Sequence, residues 1–190
     1  MSQQELSVQM FEVKTDQAFK HGFNVTARTI QLIGEVTDEM FAELDTAMTI
    51  LEEEARAGIT IKINSTGGSC YDALAIVGRI RSSKCKITTE GFGAMMSAAS
   101  LILASGNKRR MSKYGWCMHH EIWTEGIGGT VSQISHAAKQ FEREFEMWSE
   151  MMGKFTTSPK QFWQSQGRNG KDLYLTAEEC LTLGVIDEVF

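Results

Sequence analysis

The order of apolar and polar side chains predicts a chain in which strands and helices alternate. Residues 29–34 and 59–64 alternate apolar with polar positions, as half-buried strands do. Between them, apolar side chains recur at helical spacing over about residues 38–55. The elements predicted next are a helix at 71–82, a strand at 86–90 and a strand that ends near 116–121. This repeated order predicts parallel strands joined by right-handed crossovers.

A buried helix with a hydroxyl group at its start stands at the centre of this pattern. Ser97 precedes the apolar run 98–104, and Gly91 and Gly93 allow a sharp turn after a strand. The first amides of a helix are unpaired donors at the positive end of its dipole. Small residues in an apolar helix also serve close packing, so this segment alone leaves a nucleophile and a packing contact both open.

Two other segments place polar groups where strands end, which is where active groups gather in parallel α/β folds. Gly67 and Gly68 either form a tight turn or leave backbone amides uncovered for a substrate carbonyl. His119 and His120 end another predicted strand. Adjacent side chains of a strand point to opposite faces, so only one of these histidines can face a given site.

The second half of the chain predicts a long helix and several short elements. The long helix has an apolar stripe suited to the core or to a helix of a partner subunit, namely Phe141, Phe145, Trp148, Met152 and Phe155. Pro159 begins a short helix, and Thr176 with Glu179 has the spacing of a capping box. The basic segment 107–110 is predicted to be a solvated turn, and Asp172 precedes a short apolar pair.

Composition excludes several classes of protein. The 190 residues are 42% hydrophobic with a net charge of −5, which is typical of a globular domain and gives no reason to expect nucleic acid. No apolar run reaches the ~20 residues of a membrane span, and the N-terminus lacks a signal peptide, so a cytoplasmic protein is expected. The four cysteines are far apart and predict free thiols, with no metal site or cofactor.

Several motifs in order resemble the ClpP family, the proteolytic subunits of ATP-dependent Clp proteases, including its phage-type members. They are Ile33-Gly-Glu-Val, Ile63-Asn-Ser-Thr-Gly-Gly-Ser, Gly93-Ala-Met-Met-Ser-Ala-Ala, Met118-His, Asp172-Leu-Tyr-Leu-Thr-Ala and Leu183-Gly-Val-Ile-Asp. The resemblance implies an α/β fold of the ClpP/crotonase type, a spiral of β-β-α units with a protruding handle helix. It implies an N-terminal arm over residues 1–28 and one serine protease domain over 29–190, with the handle at about 122–156.

The resemblance also implies a role for each matching residue. Ser97 is expected to be the nucleophile, His119 the base and Asp172 the group that orients it, with the amides of Gly68 and Ala98 as the oxyanion hole. His120 is the alternative base. It ranks below His119 because the family motif places one histidine after two apolar residues, which Cys117 and Met118 supply.

The function implied is a serine endopeptidase that acts on unfolded proteins and short peptides inside a ring-shaped chamber. The implied partners are further copies of the chain in stacked heptameric rings, a Clp ATPase of the AAA+ unfoldase class and unfolded polypeptides, with neither nucleic acid nor membrane. Two alternatives stay open: a catalytically silent ring or scaffold subunit, and an acyl-CoA enzyme of the crotonase type.

Overall fold

The computed structural model describes residues 22–168 and 170–190, which form one mixed sheet with helices packed against it. The strands are β1 (Phe23–Asn24), β2 (Thr29–Val36), β3 (Ile59–Gly68), β4 (Ile87–Met96), β5 (Lys108–Met111), β6 (Trp116–His119), β7 (Leu173–Leu175) and β8 (Glu188–Val189). The helices are α1 (Asp38–Glu54), α2 (Cys70–Ser82), α3 (Ala98–Ala104), α4 (Val131–Phe155), α5 (Lys160–Gln166) and α6 (Ala177–Thr182).

The sheet follows the order β1-β2-β3-β4-β5-β8, and β6 and β7 branch from its centre. The pairs β2–β3, β3–β4 and β4–β5 are parallel, which confirms the strand direction predicted from the sequence. On the edge away from β3, strand β4 pairs with two strands in succession: residues 88–91 pair with β5 and residues 94–96 pair with β6. This fork carries β6 to the point where β4 ends, beside Ser97.

The helices bury the side chains that their periodicity selects. Helix α1 begins at the predicted cap, where the Thr37 hydroxyl accepts from the Met40 amide at 3.3 Å, and every residue of α3 is buried. On α4, Phe145, Trp148 and Met152 are buried, whereas the first half of the helix is almost wholly exposed. None of the helices described here is long and apolar enough to cross a membrane.

The predicted solvated turn at 107–110 is wrong, because most of this segment is strand β5. Arg109 donates to the Asp187 carboxylate and to the carbonyls of Phe155 and Gly184. Arg110 lies between Glu90 and Glu188, at 2.6 and 2.9 Å. Carboxylates from neighbouring strands therefore supply the counter-charges that allow a basic segment to enter the sheet.

The N-terminal boundary also differs from the one expected. Residues 22–28 belong to the domain, since β1 pairs with β2 and Phe23 is buried against the core. The Arg28 guanidinium donates to the carbonyls of Leu51, Ala55 and Ala57 at the end of α1. Residues 1–21, the rest of the predicted arm, lie outside the described residues.

A glycine turn at the end of β3 packs directly against the start of α3. Gly67 has φ +98°, and a Cβ atom there would lie 2.7 Å from the Ser97 Cβ and 2.8 Å from the Met96 carbonyl oxygen. A Cβ on Gly68, with φ +151°, would lie 2.4 Å from the Val36 carbonyl oxygen. Glycine is required at both positions, because the backbone conformation and the space each exclude a side chain.

Replacing Gly67 with alanine should therefore destabilise the fold, by about 2–4 kcal/mol in the free energy of unfolding. Gly78 is a matched control, because it lies on the exposed side of α2 with no atom within 4 Å of a Cβ built there. Gly78→Ala should raise the free energy of unfolding by about 0.5–1 kcal/mol. Urea unfolding measures both, and an unchanged free energy for Gly67→Ala would contradict the observed packing of the turn.

Candidate active site

Ser97 occupies a strained turn between β4 and α3. Its backbone has φ 53° and ψ −122°, and Arg28 is the other non-glycine residue with positive φ in the part of the chain described. Such a conformation costs about 1–3 kcal/mol and is held only where the surroundings impose it. The Ser97 amide donates to the Met118 carbonyl at 2.9 Å. This bond ties the turn to β6 and directs the serine side chain towards the end of that strand.

His120 is the histidine that meets the serine. Its Nε2 atom lies 2.7 Å from the Ser97 Oγ, which is hydrogen-bonding distance. Both side chains are half-buried, so they are accessible from the cleft. If Nε2 accepts the hydroxyl proton, the ring proton must be on Nδ1. The pair then has the arrangement of a serine nucleophile with its general base.

The prediction of His119 as the base is wrong in this geometry. The His119 side chain lies on the opposite face of β6, 2% exposed, where it packs against the rings of Phe145 and Trp163. Its Nε2 atom lies 3.2 Å from the Trp163 carbonyl oxygen. Because a carbonyl only accepts, that nitrogen must carry the proton. Burial lowers the pKa of His119 to about 4, so the side chain is neutral near pH 7.

The alternation of β6 explains why the two histidines exchange roles. Cys117 and His119 are buried on one face, whereas Met118 and His120 are half-buried on the other. His119 thus occupies an apolar position, and with Met118 it supplies the two residues expected before the active histidine. The motif of two residues before the histidine is therefore present in the sequence. Which histidine it identifies depends on the face of β6 that meets Ser97.

Asp172 directly precedes β7, the strand that pairs with β6, but its side chain forms no hydrogen bond with His120. Strand β7 pairs antiparallel with β6, and His119 is the partner of Leu173. One further step in this register would set Asp172 opposite His120. The Asp172 side chain is exposed, and within residues 22–168 and 170–190 it forms neither a hydrogen bond nor an ion pair. Its role as the orienting carboxylate stays a prediction.

The glycine turn adjoins the backbone amides that were predicted to form an oxyanion hole. Ala98 is the first residue of α3, so its amide has no acceptor within the helix. A Cβ atom on Gly67 would lie 3.1 Å from the Ala98 nitrogen, and Gly68 lines the cleft next to it. The arrangement brings a hydroxyl, an imidazole and the backbone of two tight turns to one place.

These groups open into a cleft of about 520 Å³. Its walls are the glycine turn, the start of α2, the segment 120–125 and the buried side of α4. Three carboxylates line it, Glu35, Glu121 and Glu125, while no lysine or arginine is among its described lining residues. Met95, on the strand that leads to Ser97, is fully buried and does not line the cleft.

The burial of His119 predicts a dependence of stability on pH. Its pKa is about 4 when folded against an ordinary value of 6.5, so between these values the unfolded chain binds more protons. The stabilising contribution is complete above pH 6.5 and is lost as the pH falls to about 4. It should amount to about 3 kcal/mol.

His119→Gln, whose amide can still donate to the Trp163 carbonyl, should remove this part of the pH dependence of the unfolding free energy. Urea unfolding at pH 7.0, 6.0 and 5.0 measures it. The same change at His136, which is exposed on α4, is the control and should retain the wild-type dependence. Equal pH dependence in wild type and His119→Gln would show that His119 is not a buried neutral group.

Comparison with known proteins identifies the family of the chain. The family model described as Clp protease matches residues 16–190. The chain is 30% identical over 165 residues to the ATP-dependent Clp protease proteolytic subunit 1 of Corynebacterium jeikeium, covering 85% of this chain and 86% of that one. It is also 30% identical over 165 residues to the proteolytic subunit 2 of Corynebacterium diphtheriae, covering 85% and 81%. For the proteolytic subunit 2 of Rhodococcus jostii, identity is 29% over 165 residues, covering 85% and 83%.

The match spans nearly the whole chain and includes both turns of the cleft. The mixed sheet with its branching strands and protruding helix is accordingly the fold of that family, as predicted from the sequence. The chain belongs to the Clp protease family.

Proposed function

We propose that this protein is the proteolytic subunit of an ATP-dependent Clp-type protease and hydrolyses peptide bonds of unfolded chains and short peptides. The observation that carries the proposal is the 2.7 Å contact between Ser97 Oγ and His120 Nε2 at a strained turn inside a cleft. Relatives that share about 30% of their residues with the chain carry the name of such a subunit. The proposed chemistry of the cleft, acyl transfer through a serine, requires no metal or cofactor.

In the proposed reaction, Ser97 Oγ attacks the carbonyl carbon of the scissile bond while His120 Nε2 accepts the hydroxyl proton. The oxyanion that forms faces the amides of Gly68 and Ala98, and each well-placed donor lowers the barrier by about 3 kcal/mol. His120 then passes the proton to the leaving amine, which breaks the peptide bond. Water, deprotonated by the same imidazole, releases the acyl group from Ser97.

Asp172 completes the proposed catalytic set. A carboxylate that accepts from the Nδ1 proton of His120 would hold the tautomer the reaction needs and stabilise the imidazolium that forms. The antiparallel register of β6 and β7 supports this role, because it brings Asp172 close to the end of β6.

A fluorophosphonate probe together with a fluorogenic peptide tests the assignment. Ser97→Ala should abolish both labelling and cleavage, and His120→Ala should lower kcat at least about 10⁴-fold. His119→Gln should retain labelling, because its side chain lies on the other face of β6. Ser165→Ala is the hydroxyl control, since that exposed serine bonds only to the Phe162 carbonyl.

Labelling that survives Ser97→Ala, or a larger loss for His119→Gln than for His120→Ala, would contradict the assignment. A folded wild-type assembly that is inert to peptide and probe would favour a silent ring subunit. Binding of acyl-CoA by that inert protein would favour the crotonase-type alternative.

The proposal includes assembly of the chain into stacked rings with seven subunits each, which work in the cytoplasm with a Clp ATPase. Support comes from α4, whose first half leaves the domain and exposes apolar side chains. Val131 is 85% exposed and Ile134 42% exposed. A second subunit would cover this surface, as expected of an apolar helix face.

Light scattering of the purified protein should therefore give a mass many times the 21.2 kDa of one chain. Val131→Asp together with Ile134→Asp should reduce that mass, because charges on a covered apolar surface oppose association. Ser132→Asp, on the same exposed turn, is the control for added charge. A wild-type mass of about 21 kDa would rule out an enclosed chamber.

A further inference from the structure

A buried carboxylate outside the catalytic set lies behind the cleft. Glu144, on α4, is 7% exposed, although glutamate is rarely buried without a cation. No lysine or arginine pairs with it in the described part of the chain. Its Oε1 atom instead accepts from the Tyr71 hydroxyl at 2.5 Å and from Gln140 Nε2 at 2.8 Å. The carboxylate is thus held by two donors, one of them on another helix.

The tyrosine belongs to the part of the chain that carries the glycine turn. Tyr71 is the second residue of α2 and follows Gly68 by three positions. Its ring is 64% exposed, so its hydroxyl bond to Glu144, more than burial of the ring, fixes its position. Glu144 raises the pKa of Tyr71, which keeps the hydroxyl protonated as the donor. The bond between Tyr71 and Glu144 connects α2 to α4.

Glu144 lies on α4, the helix that packs against β6 and so supports His120. Phe145, the next residue of α4, stacks on the His119 ring with centroids 6.1 Å apart. His119 is the last residue of β6 and directly precedes His120, so α4 backs the strand that leads to the base. Phe145 and Cys70 both line the cleft, on the sides that the tyrosine bond joins.

We propose that Tyr71 and Glu144 are positioning residues: their bond fixes the distance between the glycine turn and His120 and so keeps the oxyanion amides aligned with the nucleophile. This inference rests on the peptidase function proposed above. Alignment of donors with the developing oxyanion acts in the transition state, so its loss lowers kcat and leaves KM nearly unchanged.

Three variants of the full-length assembly test this role with a fluorogenic peptide. Tyr71→Phe keeps the ring but removes the donor, and Glu144→Met keeps the length of the side chain but removes the acceptor. Each should lower kcat about tenfold, with KM within about twofold of wild type, because small misplacements of catalytic groups are costly. Glu144→Gln retains an acceptor oxygen for the tyrosine and should stay within about threefold of wild-type kcat.

Two controls separate positioning from general effects on the fold. Tyr114→Phe removes a hydroxyl from a 78% exposed ring and should leave kcat unchanged. Gln140→Ala removes the bond within α4 but leaves the bond between helices, and should have the same result. The rate of fluorophosphonate labelling should fall in Tyr71→Phe in parallel with kcat, because that reaction uses the same amides.

Wild-type kcat in Tyr71→Phe at a temperature where the protein is folded would overturn the proposal, whatever the loss of stability. Equal losses in Glu144→Gln and Glu144→Met would overturn it too, since the retained acceptor would then be irrelevant. An inactive wild-type protein would contradict the proposed function instead, and unfolding of Tyr71→Phe seen by circular dichroism would overturn a purely positional role.

Discussion

One backbone hydrogen bond, from the Ser97 amide to the Met118 carbonyl, determines the geometry of the cleft. It continues the pairing of β4 with β6 by one residue beyond the strand, at the point where the chain must turn into α3. Because Ser97 is held in a conformation that an L-residue seldom adopts, the turn needs an external constraint, and β6 provides it. The same strand that fixes the Ser97 turn leads to His120, so the positions of the hydroxyl and the imidazole are set by one element.

The neighbouring histidine shows how the same strand uses its other face. His119 is neutral, buried and bonded to a carbonyl, and it connects β6 to α4 and α5 through two aromatic rings. A buried polar group of this kind is tolerated only when its bond is satisfied, and then it specifies one packing arrangement over others. A contact of the cleft and a contact of the core therefore come from adjacent residues, His120 and His119.

Local sequence patterns predict most of the helices and strands, and they also predict Ser97 and the glycine turn of the candidate site. The period of α1, the apolar run of α3 and the cap at Thr176 depend on neighbours within a few residues, so sequence was sufficient for them. Ser97 and the glycine turn could be found because both follow strands.

The choice between His119 and His120 depends on strand register, which is a contact between distant segments. The basic residues of β5 resemble a solvated turn for the same reason. The carboxylates that pair with them, Asp187 and Glu188, lie 78 residues further along the chain. The position of Asp172 relative to His120 likewise depends on the pairing of β7 with β6, which joins distant segments of the chain.

The fork of β4 limits how this protein can vary. The connection between β5 and β6, residues 112–115, is short, and both strands it joins are anchored to consecutive parts of the same parent strand. A gain or loss of one residue that this connection does not absorb would slide β6 by one position and turn each of its side chains to the opposite face. An insertion would bring His119 to the position that His120 occupies beside Ser97, whereas a deletion would bring Glu121 there. Length changes in this connection should therefore be tolerated in pairs rather than singly.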